Sequence, residues 1–308
     1  MSHVESSTLV SGTSEGPTLK KRLFVGLQHV LPQHFLTSIV YSLTRSRRSG
    51  LKNALINRFV RNFHPDMSDA VEPDPLAYGS FNEFFTRPLR ADARPVARDA
   101  ATLVSPVDGT ISQIGSLQGN EIIQAKGRTY SLEALLAGPA QWHQRFLGGS
   151  FGTLYLAPYN YHRIHMPLTG ALVDAWYVPG KLFSVNATTA AGVDRVFARN
   201  ERVVCLFENG PLVFAMVLVG ALFVGSMTTV WHGDITPRRP RRPLRLPVDD
   251  LRSPTRLQQG AEMGRFNMGS TVILLLPPGT TTWDPQLRPG DAIRMGQALA
   301  RISAPRPA

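Results

Sequence analysis

Over residues 20–48 the apolar positions Leu23, Leu27, Val30, Leu31, Phe35, Ile39 and Leu43 fall on one helical stripe, with a break expected at Pro32. Leu51, Leu55, Phe59 and Phe63 repeat the pattern, with Arg58 and Arg61 between them. Ser80-Phe-Asn-Glu83 reads as a capping box, so a further helix is expected to run through Phe84 and Phe85 until Pro88 stops it. From Leu103 the texture changes. Short apolar runs alternate with Gly, Pro and Asn turns, the pattern of a mostly β domain, with short helices expected over Ser131–Leu136 and Pro139–Phe146. Thr271–Leu276, bounded by Pro277-Pro278, predicts a buried strand. Pro211–Met227 is shorter than the ~20 apolar residues a spanning helix needs. Rich in Val and split at Gly220, it predicts two adjacent core strands, and no transmembrane helix is expected.

Two segments, Ser105-Pro-Val-Asp-Gly-Thr-Ile111 and His165–Leu172, both read Pro-x-x-Gly into a strand, and Pro289–Ile302 looks like the closing hairpin of a biotinyl or lipoyl carrier domain. The fold class expected is α+β: N-terminal amphipathic helices, then a mostly antiparallel β-sandwich of hammerhead or carrier-like (barrel-sandwich hybrid) units. Residues 1–18, rich in Ser, Thr and Gly, are expected to be a disordered tail, 19–90 a helical region and 91–308 a β-rich domain.

Charge refines this picture. The net charge is +11, concentrated in Lys20, Lys21, Arg22, Arg45, Arg47, Arg48, Lys52 and Arg58 and again in Arg238, Arg239, Arg241, Arg242 and Arg245. Basic amphipathic helices suit the plane of a membrane interface, although they could equally pack on the domain, and both can hold together. The stretch 236–256, rich in Pro and Arg, is expected to be an exposed, mobile loop. No aromatic residue interleaves with its arginines and no nucleic-acid-binding motif is present, so nucleic acid is not an expected partner. Gln28, His29, Pro32, Gln33 and His34 interrupt the apolar run after Lys20-Lys-Arg22, and no signal peptide is expected. The single cysteine, Cys205, excludes an internal disulfide and a Cys-based zinc site, and no metal is expected. A carrier function would need a modifiable lysine at a hairpin tip; Lys126 and Lys181, the only lysines after residue 52, occupy no such motif.

The chemistry is expected around Gly260–Pro277. Gly260, Gly264 and Gly269 give the backbone freedom, and Ser270 stands at the mouth of the Thr271–Leu276 strand. Asp108 lies in a tight turn, His162 and His165 beside a strand end, and Gly180–Asn186 forms a polar turn. The histidines could be metal ligands or polar residues at the edge of the core. Alternatively an Asp, a His and a Ser on separate loops could form a nucleophile–base–orienter set.

These segments carry a resemblance. Phe84-Phe-Thr-Arg-Pro-Leu-Arg90, Ser105–Gly109, Tyr161-His-Arg-Ile-His-Met-Pro167, Gly180-Lys-Leu-Phe-Ser-Val-Asn186, Asn200–Val204, Gly220–Ser226 and Gly260–Thr271 occur in the order of the bacterial-type phosphatidylserine decarboxylase family, which is pyruvoyl-dependent. The chain departs from the family at Met268, where leucine is usual, and in its Arg/Pro-rich insert. The resemblance implies decarboxylation of phosphatidylserine to phosphatidylethanolamine in phospholipid biosynthesis. It implies self-cleavage between Gly269 and Ser270 into a large chain 1–269 and a small chain 270–308. In this scheme Ser270 Oγ attacks the Gly269 carbonyl, β-elimination cuts the resulting ester, and hydrolysis leaves a pyruvoyl group at residue 270 that forms a Schiff base with the substrate. The family match makes His165 the base and Asp108 its orienter, and leaves His162 for decarboxylation. It further implies a peripheral protein on the cytoplasmic side of the cell membrane, with phosphatidylserine and an anionic membrane surface as partners and residues 19–90 as the membrane-associating region; a homodimer is left open.

Overall fold

In a computed structural model the described residues are 19–97, 99, 101–125, 127–223, 226–236, 242–248 and 255–303. The tail 1–18 and Arg238, Arg239 and Arg241 lie outside them. The architecture is α+β, with helices at the N-terminus and antiparallel sheets thereafter.

The apolar stripe is split at Pro32 into helices α1 (Leu19–Val30) and α2 (Gln33–Thr44), followed by α3 (Ser49–Phe63). The surface that α1 and α2 turn inward is polar. Gln28, Gln33, Thr37 and Thr44 are buried, while Leu23, Val30 and Phe35 are 72, 78 and 62 % exposed. Side-chain oxygens make the docking bonds: Gln28 Oε1 accepts from the Ser184 N–H and Gln33 Oε1 from the Leu182 N–H, both at 2.8 Å. Tyr41 donates to Asp234 at 2.8 Å and Arg45 to Ser226 at 2.9 Å. The helices therefore dock on the β domain and still present their apolar stripe to the outside. No helix of the described residues is long and apolar enough to cross a bilayer.

Helix α3 is amphipathic in the ordinary sense. It buries Ile56 and Phe59 against Tyr78, Phe81, Phe84 and Phe85. The last three of these belong to α4 (Phe81–Phe85), whose N-terminus is closed by Ser80 Oγ accepting from the Glu83 N–H at 3.1 Å. The Glu83 carboxylate accepts from the Gly79 N–H at 3.1 Å, one residue earlier than a capping box requires. Phe59 meets Phe81, Phe84 and Phe85 edge-on, a favoured aromatic geometry.

Thr271–Leu276 is the central strand of a nine-stranded antiparallel sheet, and all six of its residues are buried. It pairs with Ser150–Tyr155 on one side and Leu212–Val219 on the other, with Thr271 opposite both Tyr155 and Val219. A smaller sheet contains Gly233–Ile235, Met227–Thr229, Glu262–Phe266 and Arg163–His165. Residues 267–270 thus carry the chain from the smaller sheet into the centre of the larger one.

Three expectations are corrected. Pro211–Met227 forms one core strand, Leu212–Val219, after which the chain leaves the sheet; Met227–Thr229 belongs to the smaller sheet. The Gly220 carbonyl accepts from Asn200 Nδ2 at 2.9 Å and so is tied to the Lys181–Asn200 side of the fold. The C-terminal run is not a hairpin. Ala292–Ile293 pairs with the Gly109–Ser116 strand, whereas Ala298–Ile302 pairs with Thr102–Val104 and Thr281–Trp283. Within 236–256, Leu244–Arg245 is an edge strand on Trp176–Tyr177, held by an Arg245–Asp174 ion pair at 2.8 Å.

Candidate active site

The site is built where the chain crosses between sheets. Asn267 fixes the crossover. It is buried, its Nδ2 donates to Ser226 Oγ, Thr228 Oγ1 and Asp234 Oδ1, and its own oxygens accept from Asn82 Nδ2. Gly264 lets the Glu262–Phe266 strand approach its neighbour, since a Cβ there would lie 2.3 Å from the Thr228 carbonyl. Gly260 is held at φ +79°, the left-handed region glycine tolerates. Of the three glycines expected to free the backbone, only Gly260 uses a positive φ.

Ser270 is fully buried, and its Oγ has no hydrogen-bond partner among the described residues. Its carbonyl accepts from the Leu156 N–H at 2.9 Å, locking the residue to the sheet. A buried hydroxyl without a partner is costly, on the order of 1–3 kcal/mol, and calls for an explanation. A Cβ added at Gly269 would sit 3.3 Å from the Leu156 carbonyl oxygen and 3.6 Å from His162 Cε1, so glycine leaves the space facing that imidazole open.

His162 is fully buried, stacks on Phe85 with ring centroids 4.0 Å apart, and bonds the Pro158 carbonyl through Nε2 at 3.2 Å. A carbonyl only accepts, so Nε2 carries the proton and Nδ1 keeps a lone pair, which has no partner among the described residues. Burial pushes the His162 imidazole down to about 3, which keeps it neutral. The phenylalanine cluster of α3 and α4 therefore supplies one wall of the site.

His165 ends the Arg163–His165 strand. Its Nδ1 bonds the Gly260 carbonyl at 2.8 Å and its Nε2 meets Tyr161 Oη at 3.0 Å. Burial lowers its proton affinity, and the Gly260 bond and the nearby Glu262 and Asp108 carboxylates partly restore it. The His165 N–H donates to the Pro106 carbonyl at 2.8 Å, which holds the Asp108 turn beside it.

The Asp108 side chain is engaged elsewhere. Arg94 grips it through Nη2 at 2.6 Å and Nε at 2.9 and 3.1 Å, and the Met295 N–H donates to it at 2.8 Å. Arg94 also binds Asp69 at 2.7 Å; burial disfavours its charge, but the two carboxylates more than offset this and raise its pKa. The structure thus brings His162 to Gly269 and the Asp108 turn to His165. Among the described residues no hydrogen bond joins Asp108 to His165, or either to Ser270. A bidentate guanidinium takes the carboxylate that a relay would use.

Sequence reasoning missed Arg94. It also gave no separate weight to Arg87 within the Phe84–Arg90 motif. Arg87 is 2 % exposed and has no carboxylate partner among the described residues; it reaches the Asp66 and Tyr159 carbonyls at 3.3 Å. An arginine in an otherwise aromatic run was the available signal.

A family model described as phosphatidylserine decarboxylase matches residues 81–301, and one described as PSD matches residues 23–64. The chain is similar to the phosphatidylserine decarboxylase proenzyme of Chromobacterium violaceum, 51 % identical over 92 % of this chain and all of that protein. It is likewise similar to those of Methylibium petroleiphilum, 52 % identical over 92 % and 98 %, and of Bordetella avium, 48 % identical over 92 % and 96 %.

Proposed function

This chain belongs to the phosphatidylserine decarboxylase family, carboxy-lyases of phospholipid biosynthesis, and on that premise we propose that it makes its own electron-accepting group from Ser270. The observation that carries this reading is the buried Ser270 Oγ with no partner, beside a glycine that leaves its surroundings open. Ser270 Oγ attacks the Gly269 carbonyl, the amide becomes an ester, and loss of the Ser270 α-proton expels the Gly269 carboxylate. Hydrolysis then leaves the pyruvoyl group on the small chain and releases ammonia.

His165 takes the hydroxyl proton in this scheme. Asp108 favours the imidazolium through space, from a position that Arg94 fixes. A pyruvoyl group held at residue 270 would supply what no side chain can, a carbonyl able to take up the substrate amine and to accept the electron pair left when CO2 departs. His162, neutral and with Nδ1 free, returns a proton to the substrate Cα. The apolar stripe of α1 and α2 lies in the cytoplasmic leaflet, with residues 19–90 as the peripheral attachment and 91–308 as the catalytic domain.

A second reading exchanges the histidines, because His162 and not His165 packs against Gly269. Intact mass and a denaturing gel decide. The expected products are two chains divided after Gly269, the smaller bearing the pyruvoyl mass. Ser270→Ala should remain a single chain, and His165→Ala and Asp108→Ala should cut slowly or not at all. His162→Ala should mature yet release little CO2. Normal cutting by His165→Ala, with none by His162→Ala, would establish the exchanged assignment. An uncut wild-type chain would overturn the whole reading.

A further inference from the structure

A cavity of about 490 Å3 adjoins the site. Gly269, Leu156 and Phe85 line it, as do Arg58 and Phe63 of α3 and Phe223. Phe85 and Leu156 are buried, whereas Arg58 is exposed and Phe63 and Phe223 are 41 and 39 % exposed, so the cavity has a closed floor at the reacting residues and an open rim.

Two features of the rim need a cause. Among the described residues Arg58 is the only charged one lining the cavity, and it makes no hydrogen bond or ion pair with any of them. Phe223 is held at φ +69°, a conformation that costs a bulky residue on the order of 1–3 kcal/mol and persists only where the surroundings impose it. An aromatic ring placed at such a cost, half in solvent, beside an unpaired guanidinium, makes an amphipathic mouth.

We propose that this mouth holds the phosphodiester and upper acyl chains of a glycerophospholipid, with Arg58 on the phosphate and Phe63 and Phe223 against the chains. The inference rests on the function proposed above, and the stereochemistry of a serine phospholipid supports it. The amine must reach residue 270, beside Gly269, and only a few bonds separate that amine from the phosphorus. The phosphate must therefore lie near the floor residues, and the chains beyond it toward the rim. The head-group carboxylate is lost and the amine is engaged at residue 270, so of the two charged groups that substrate and product share only the phosphate is left for the protein to hold throughout. A guanidinium suits a phosphate because it donates through two parallel N–H groups. Arg58 is thus a specificity and binding residue that acts equally on ground and transition states. Its loss should appear in KM and not in kcat.

The test uses the processed wild-type enzyme with monomeric dihexanoyl phosphatidylserine, which removes membrane attachment from the result, and glycerophosphoserine as a competitive inhibitor without acyl chains. Arg58→Gln should raise KM and the inhibition constant of glycerophosphoserine together, each about tenfold, the effect of one exposed charge-assisted contact. Arg58→Lys should recover part of both. Phe223→Ala and Phe63→Ala should raise KM for the dihexanoyl lipid and leave glycerophosphoserine inhibition unchanged. The proposal is overturned if Arg58→Gln leaves both constants unaltered, if it lowers kcat at fixed KM, or if glycerophosphoserine fails to inhibit the wild type. It is also overturned if the phenylalanine variants shift both ligands equally. Wild-type turnover separates the two levels of argument: a chain that does not cut itself or release CO2 refutes the proposed function, whereas normal turnover with an indifferent Arg58→Gln refutes only this assignment.

Discussion

Replacing Leu27, Val30 and Phe35 together by serine should detach the protein from lipid without unfolding it. These side chains are 52, 78 and 62 % exposed, so about two fully exposed apolar side chains are removed. Each is worth ~1.5–3 kcal/mol when transferred from water to an apolar phase, which gives ~3–6 kcal/mol of lost transfer energy. At 1.4 kcal/mol per decade the partition coefficient should fall at least about a hundredfold. The fold should barely notice, because the docking bonds of Gln28 and Gln33 lie on the opposite face. Co-sedimentation with neutral phosphatidylcholine vesicles isolates the apolar contribution, and adding anionic lipid restores attraction to the basic N-terminal residues, screened beyond ~10 Å at 0.1 M salt. Equal sedimentation of variant and wild type on neutral vesicles would refute the outward-facing stripe. So would a large drop in melting temperature, since it would mean these residues are packed in the native protein.

Two further outcomes concern protonation. Because burial depresses both histidines, the rate of self-cleavage should stay level as pH falls from 8 through 6.5, the ordinary imidazole midpoint, when followed on denaturing gels; a midpoint near 6.5 would show a solvated imidazole. Glu201 is fully buried with Tyr177 Oη donating to it at 3.0 Å, and burial pushes its carboxyl up to about 7. Since the folded value lies above the unfolded one, stability is greatest below pH ~4.5 as far as this group is concerned and is lost as pH rises through 7, by on the order of 3 kcal/mol. Glu201→Gln should flatten that slope in denaturant titrations at pH 5 and 8, and an unchanged slope would show that another group sets it.

Local signals were legible in the sequence. The break at Pro32, the Ser80 cap and the buried Thr271–Leu276 strand each depend on a few adjacent residues, and each appears where the pattern placed it. Orientation was not legible. A helical stripe of leucines says that one face is apolar but not which way it points, and here Gln28 and Gln33 reverse the usual answer by serving backbone N–H groups of another segment. The site divides in the same way. Ser270 at a strand mouth could be read from its neighbours. The capture of Asp108 by Arg94 could not, because a sequence does not say which base claims a carboxylate. Nor did the C-terminal Pro-Gly pattern reveal that its two strands join different sheets, since pairing partners are chosen by the whole fold.

The position of Thr271–Leu276 bears on how the protein can be made and remade. A cut after Gly269 would leave residues 270–308 as a separate chain whose first strand lies between two others and whose later strands belong to two different sheets. Assembly before the cut is a unimolecular event, because the connecting chain keeps the strand at high effective concentration. After the cut that advantage is gone. Recovery from denaturant would then need two partners to meet, depend on protein concentration, and compete with aggregation of a large fragment that exposes a slot in its central sheet. The mature protein would owe its persistence to slow unfolding, and an organism could replace lost enzyme only by synthesising the uncut chain anew.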